Sequence, residues 1–150
     1  MATANHEYRV SANWDGGRDG KGSLNGTYGT IDLRTPPEFG GPGGAANPEE
    51  LLTSAIAACY AITFGIIATN RKIPYTALHV DAVGNVKQEG PSFTYDRITI
   101  RPKITLAPEA TPEQETMAKE MAHKADAYCI ITNAVRGKVE VQVEPEIVRG

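Results

Sequence analysis

The most constraining stretch of this 150-residue chain is Asn47-Pro48-Glu49-Glu50 and the run behind it. Asn47 is a good helix N-cap, Pro48 suits the first helical position, and Glu50 falls where it completes a capping box. Glu49 and Glu50 also sit at the positive end of the helix dipole. Beyond Thr53 and Ser54 the sequence is apolar at nearly every position from Ala55 to Ala68, so the predicted helix has no polar face. A helix that is apolar all round must be covered all round. A single domain of this size rarely encloses one helix completely, so the pattern predicts that the helix packs against a second copy of the chain. The run is interrupted by Cys59, Tyr60, Thr63 and Gly65, and it is shorter than the roughly 20 residues that cross a bilayer.

The flanking segments supply the layer for that helix. Tyr8–Trp14 alternates and ends at Asp15-Gly16-Gly17, which predicts a strand entering a loop. Ser23–Leu33 carries Asn25-Gly26 and Tyr28-Gly29, the signature of short strands joined by tight turns. A Pro- and Gly-rich stretch over 35–44 reads as a surface loop. Leu78–Lys87 and Phe93–Ile104 alternate as two strands around Gln88-Glu89-Gly90-Pro91. Thr111 then caps a second helix, with Pro112 at its first position and Gln114 at its third, in another capping box. Met117, Met121, Ala125 and Tyr128 give that helix an apolar stripe, with Cys129 at its end. Val139, Val141 and Val143 alternate with polar residues in a last strand. The expected architecture is a single α+β domain over 1–150, mostly antiparallel, around a buried central helix. A chain of this length buries a sizeable core without staples.

Composition removes several classes of function. The apolar (41%) and charged (22%) fractions are those of an ordinary globular protein, the net charge is −3, and no block of like charges occurs. That argues against nucleic acid and against an anionic membrane surface as partners. MATANHEYRV has neither a positive n-region nor an apolar h-region, so a cytoplasmic location is expected. The two cysteines form no CxxC motif, and His6, His79 and His123 are scattered, so no metal site is expected.

Cys59, in the middle of the apolar helix, is the first chemical candidate. A buried Cys in a helix is commonly a small hydrophobe, but Ala55, Ala57, Ala58 and Ala61 leave room beside this thiol for a substrate or a second helix. A nearby arginine would hold it as thiolate, and arginine keeps its charge in any environment. Arg18, in Gly16-Gly17-Arg18-Asp19-Gly20, is flanked by glycines that let the backbone place a guanidinium against a buried anion. Read alone it is also a plain solvated loop residue. The same loop does not satisfy GxxxxGK[ST], which excludes a phosphate-binding loop. Glu50 is accounted for by capping, whereas Glu49 is not. Cys129 reads either as core or as a second thiol, and His123 as a surface residue.

The ordered set GGRDG (16–20), TPPEFGG (35–41), NPEELLTSAIAACY (47–60) and YCIITNAVRGKVEV (128–141) resembles the OsmC/Ohr family, small thiol-dependent peroxidases that act on organic hydroperoxides. The resemblance implies an intertwined homodimer with the reactive helix at its centre. It makes Cys59 the peroxidatic cysteine, Cys129 the resolving one, Arg18 the activating arginine and Glu49 the glutamate that orients it. The glycine-flanked arginine and RGKVEV look like the organic hydroperoxide resistance branch. Ala12–Gly16 and NPEELL look like the osmotically induced branch, which places its arginine later and makes Arg34 a second candidate. The chain departs from the family at Ile130 and Thr132, where proline and serine are usual. The implied activity is reduction of alkyl or fatty-acid hydroperoxides to alcohols without metal, haem or flavin, with an external dithiol such as a lipoylated protein as reductant. The rival reading is a non-catalytic protein of the same fold that binds a small apolar ligand. One geometric expectation follows. Ten residues along one straight helix separate Glu49 from Cys59 by about 15 Å, so a Glu–Arg–Cys cluster needs Glu49 from a second subunit or a break in the helix.

Overall fold

The computed structural model describes residues 2–150 and divides the chain into two compact units, one ending at Leu51 and the other running Leu52–Gly150. The first holds a three-stranded antiparallel sheet, β1 (Ser11–Asp15), β2 (Lys21–Gly26) and β3 (Gly29–Leu33), in that order. The ladder begins at Ser11↔Asn25, three residues later than Tyr8–Trp14 predicts, because Tyr8 to Val10 have no partner strand. Between β2 and β3 the chain reverses through Thr27-Tyr28, with Gly29 at φ +104°. After β3 the chain makes one 3-10 turn over Pro37–Phe39. It then returns to the end of β3, where the Arg34 N–H donates to the Ala46 carbonyl at 3.0 Å.

Helix α1 (Pro48–Asn70) starts where the sequence requires, and the Glu50 N–H donates to Asn47 Oδ1 at 2.8 Å. It runs unbroken for 23 residues, longer than the apolar run that defines it. An 18-residue window of it has a mean hydropathy of 2.0, which by length and composition alone is enough to cross a bilayer. It also serves as a core helix. Ile56, Tyr60, Phe64 and Ala68 are fully buried in one cluster with Ile98, Ile100, Ile104 and Leu106. The chain by itself covers part of this helix, as the sequence pattern leads one to expect of a single copy. Within one chain that stripe alone is fully buried, while Ile62 and Ile66 remain 65% and 57% exposed. Uniform apolarity does not encode which face the chain's own sheet will take.

The second sheet is built on a long hairpin, β4 (Tyr75–Glu89) and β5 (Ser92–Leu106), closed by Gly90-Pro91 with Gly90 at φ +59°. Gly84 on β4 lacks a side chain for a visible reason. The Thr53 and Tyr95 hydroxyls share a hydrogen bond of 2.7 Å, and both lie where a Cβ on Gly84 would be. The single last strand expected from the valines is two strands, β6 (Glu140–Val143) and β7 (Glu146–Arg149). Both pair with β5, and both run parallel to it, from Arg97↔Glu140 and from Lys103↔Glu146.

Helix α2 (Pro112–Lys124) has the predicted capping box. The Gln114 N–H donates to Thr111 Oγ1 at 3.1 Å, and the Thr111 N–H donates to Gln114 Oε1 at 2.8 Å. Its buried face is Ala118, Met121 and Ala122, continued by Ala125. Tyr128, expected on that stripe, is 61% exposed because the helix tightens into a 3-10 turn over Ala125–Tyr128. Cys129 is therefore not the end of α2. It is the N-cap of a further short helix, α3 (Ile130–Val135).

Candidate active site

The two cysteines meet in the second unit. Cys59 lies midway along α1, and its sulfur is bonded to that of Cys129, with the Cα atoms 5.9 Å apart. Cys59 is partly buried and has the Thr63 hydroxyl 3.9 Å from its sulfur, one helical turn on. Cys129 is fully buried, and its sulfur accepts from the Thr132 N–H at 3.5 Å. Beside Cys59, Tyr60 turns inward and its hydroxyl donates to the Ala122 carbonyl, tying α1 to α2. Burial, with a smaller contribution from the Asp126 carboxylate, pushes that phenol well above its ordinary range, so it acts as a fixed donor.

The turn carrying Cys129 is held from both sides. The Arg136 guanidinium donates to Asn133 Oδ1 at 3.0 Å, and to the Asp126 carbonyl and carboxylate at 3.1 and 3.3 Å. The Asn133 side-chain amide donates to the Ala127 carbonyl at 2.9 Å. These bonds span the residues before and after the cysteine, so its backbone is set before any chemistry. The sequence quoted Arg136 only as part of RGKVEV, and gave no sign of the Asp126 and Asn133 partners, which depend on the 3-10 turn.

The charged candidates lie in the first unit. Arg18 is exposed in its glycine loop, and its Cδ stands 3.0 Å from where a Cβ on Gly40 would be. Gly40 has φ +80°, so both its conformation and the closeness of the arginine stem favour glycine. Arg34 is half-buried, and one of its terminal nitrogens donates to the Leu33 carbonyl at 2.7 Å. Arg34, Glu49, Trp14, Phe39 and Pro36 line one cavity of about 310 Å³. That cavity brings Glu49 and Arg34 to one wall of the first unit. Among the described residues no group of three or more His, Cys, Asp or Glu side chains could hold a metal.

A family model described as OsmC-like protein matches residues 41–144. The chain belongs to the OsmC-like protein family. YmaD, an uncharacterised protein of Bacillus subtilis, is 31% identical over 147 residues, covering 98% of each chain. The organic hydroperoxide resistance protein-like 2 of Staphylococcus epidermidis is 29% identical over 147 residues, covering 94% of this chain and 96% of that protein. Among solved structures, an organic hydroperoxide resistance protein OsmC from Legionella pneumophila superposes with a TM-score of 0.71 at 26% identity. That match covers 95% of this chain and 99% of the other. The expected OsmC-like α+β fold with a central helix is thus the observed one.

Proposed function

We propose that this OsmC-like protein is a cysteine-based peroxidase that reduces organic hydroperoxides to alcohols. The observation that carries the reading is the bond between Cys59, on the apolar helix, and Cys129, in a clamped turn. In the reduced protein the Cys59 thiolate attacks the terminal peroxide oxygen. The O–O bond breaks, the alcohol leaves, and Cys59 becomes a sulfenic acid. The Cys129 thiolate then attacks the Cys59 sulfur, hydroxide leaves and takes up a proton as water, and the disulfide forms. An external dithiol, such as a lipoyl group on a carrier protein, returns both thiols in a reducing cytoplasm.

Arg18 has the activating role that the resemblance gives it, and Arg34 competes for it because it shares a cavity with Glu49. Arg18→Ala and Arg34→Ala separate the two. The substitution that removes the activating charge raises the Cys59 pKa and slows the reaction about tenfold or more at neutral pH, with partial recovery as pH rises. The active form is a two-fold homodimer, joined through the open apolar stripe of α1. The unbroken helix supports placing Glu49 of one subunit near Cys59 of the other. Mixed Cys59→Ser and Glu49→Ala subunits would then regain activity, because each heterodimer has one intact site. Confirmed subunit exchange without recovery would overturn the trans arrangement.

The decisive test is mass spectrometry before and after one equivalent of cumene hydroperoxide. Loss of two hydrogens with Cys59 linked to Cys129 supports the reading. Cys59→Ser should abolish peroxide consumption while the chain stays folded, and Cys129→Ser should leave the first turnover intact and trap oxidised Cys59. Unchanged thiols after peroxide would leave the apolar-ligand binder instead.

A further inference from the structure

One polar group beside Cys129 has no part in the chemistry above. The Thr132 hydroxyl is fully buried, and among the described residues it is the one buried side-chain oxygen or nitrogen without a hydrogen-bond partner. A hydroxyl removed from water and left unpaired costs stability. The same residue's backbone N–H already donates to Cys129 Sγ at 3.5 Å, which places Thr132 against that sulfur. A disulfide sulfur is a weak acceptor, whereas a thiolate is a strong one. The hydroxyl is therefore idle in the state where the sulfurs are bonded and useful in the state where they separate. The sulfurs also differ in access, since Cys129 is fully buried and Cys59 is not.

We propose that Thr132 is a further catalytic residue, acting in the reductive half of the cycle as the group that receives the Cys129 thiolate. This rests on the redox role proposed above for the two cysteines. A thiolate of the external dithiol attacks the accessible Cys59 sulfur and forms a mixed disulfide with it. The Cys59–Cys129 bond breaks, and its electron pair stays on Cys129. The Thr132 hydroxyl turns about χ1 and donates to that thiolate, beside the N–H already there. The second thiol of the reductant then displaces Cys59. The reductant leaves as a cyclic disulfide, having supplied two electrons and the protons taken up by the two thiols. A leaving thiolate of lower basicity departs faster, so a donor at Cys129 accelerates reduction and fixes which sulfur is attacked.

Thr132→Val and Thr132→Ser test this. The oxidised proteins are reduced with excess dithiothreitol, and free thiols are followed by acid quench and alkylation. Thr132→Val should slow reduction about tenfold, as loss of one hydrogen bond to a charged group implies, while Thr132→Ser stays within about twofold of the parent. The valine should also raise the thermal midpoint of the oxidised protein, because it deletes an unpaired buried polar group. A merely structural threonine would lower that midpoint and leave the rate alone. In Cys59→Ser protein, where Cys129 is the one thiol, Thr132→Val should move the alkylation profile upward by about one pH unit. Treatment with 2-mercaptoethanol and peptide mapping should find the adduct on Cys59, and an adduct on Cys129 would overturn the direction of attack. Wild-type reduction rate and an unmoved alkylation profile in Thr132→Val would overturn the role of Thr132. Failure of hydroperoxide to link the cysteines would instead overturn the peroxidase reading, and the Cys129 profile would still judge Thr132 by itself.

Discussion

The two long faces of α1 are both apolar and have opposite fates. Ile56, Tyr60, Phe64 and Ala68 are sealed in the core by the β5 isoleucines and by α2. Ala58, Ile62 and Ile66 follow the same four-residue spacing and stand open. The buried face also carries shape and direction, since Phe64 stacks on Tyr60 at 6.5 Å and meets Tyr75 edge-on at 5.8 Å. Between Ser54 and Asn70 the open face has only alanine and isoleucine. The lesson is that hydrophobicity assigns a residue to an interface, whereas aromatic bulk and hydrogen-bonding tips mark the interface that the chain completes within itself.

Three substitutions can sharpen or break that contrast. Phe64→Ala should have the largest effect, about 3–5 kcal/mol of lost stability in chemical denaturation, because it empties a fully buried aromatic site. Gly84→Ala should come next, at about 1–3 kcal/mol. Its Cβ collides with the Tyr95 and Thr53 hydroxyls and parts the bond by which the start of the second unit's helical segment meets the hairpin. Ile62→Glu should change the folded chain's own stability least, by about 0.5 kcal/mol or less. Its effect should be on association: the parent's unfolding midpoint rises with protein concentration, and Ile62→Glu removes that dependence. If Ile62→Glu unfolds the chain as thoroughly as Phe64→Ala, the two faces are energetically equivalent and the contrast is broken.

The parts of the fold that could be read in advance are those set by chemistry within a few residues. Asn47 with Glu50 and Thr111 with Gln114 mark both long helix starts, because cap and first turn lie within one turn of each other. The β4–β5 hairpin was legible because Gly90-Pro91 interrupts two alternating runs. What escaped depends on partners distant in sequence. The alternation of Val139, Val141 and Val143 says nothing about direction, and their parallel pairing is dictated by the free edge of β5. β7 is four residues behind Pro145, too short for its own signal. At the site, the cysteines could be named, but not the turn that presents Cys129, because Ile130 and Ile131 continue an apolar pattern across the point where α2 gives way. Ile130 is 79% exposed, so the apolar pattern there does not mark burial. In the sequence Thr132 is only a departure from a family pattern, since a buried and unpaired hydroxyl leaves no trace there.

The bond between Cys59 and Cys129 also ties a knot in the polymer. It joins positions 70 apart and encloses both long strands and α2 in one covalent loop. Closing a loop of that size removes freedom from the denatured chain, which the chain-entropy account values at roughly 4 kcal/mol in favour of the folded oxidised protein. Oxidation and reduction of this link therefore switch the chain between a tethered and an untethered polymer. The reduced state should be the more easily digested and the earlier to melt. Redox state thus becomes readable as a melting temperature, and reducing conditions hold this protein in its shorter-lived form.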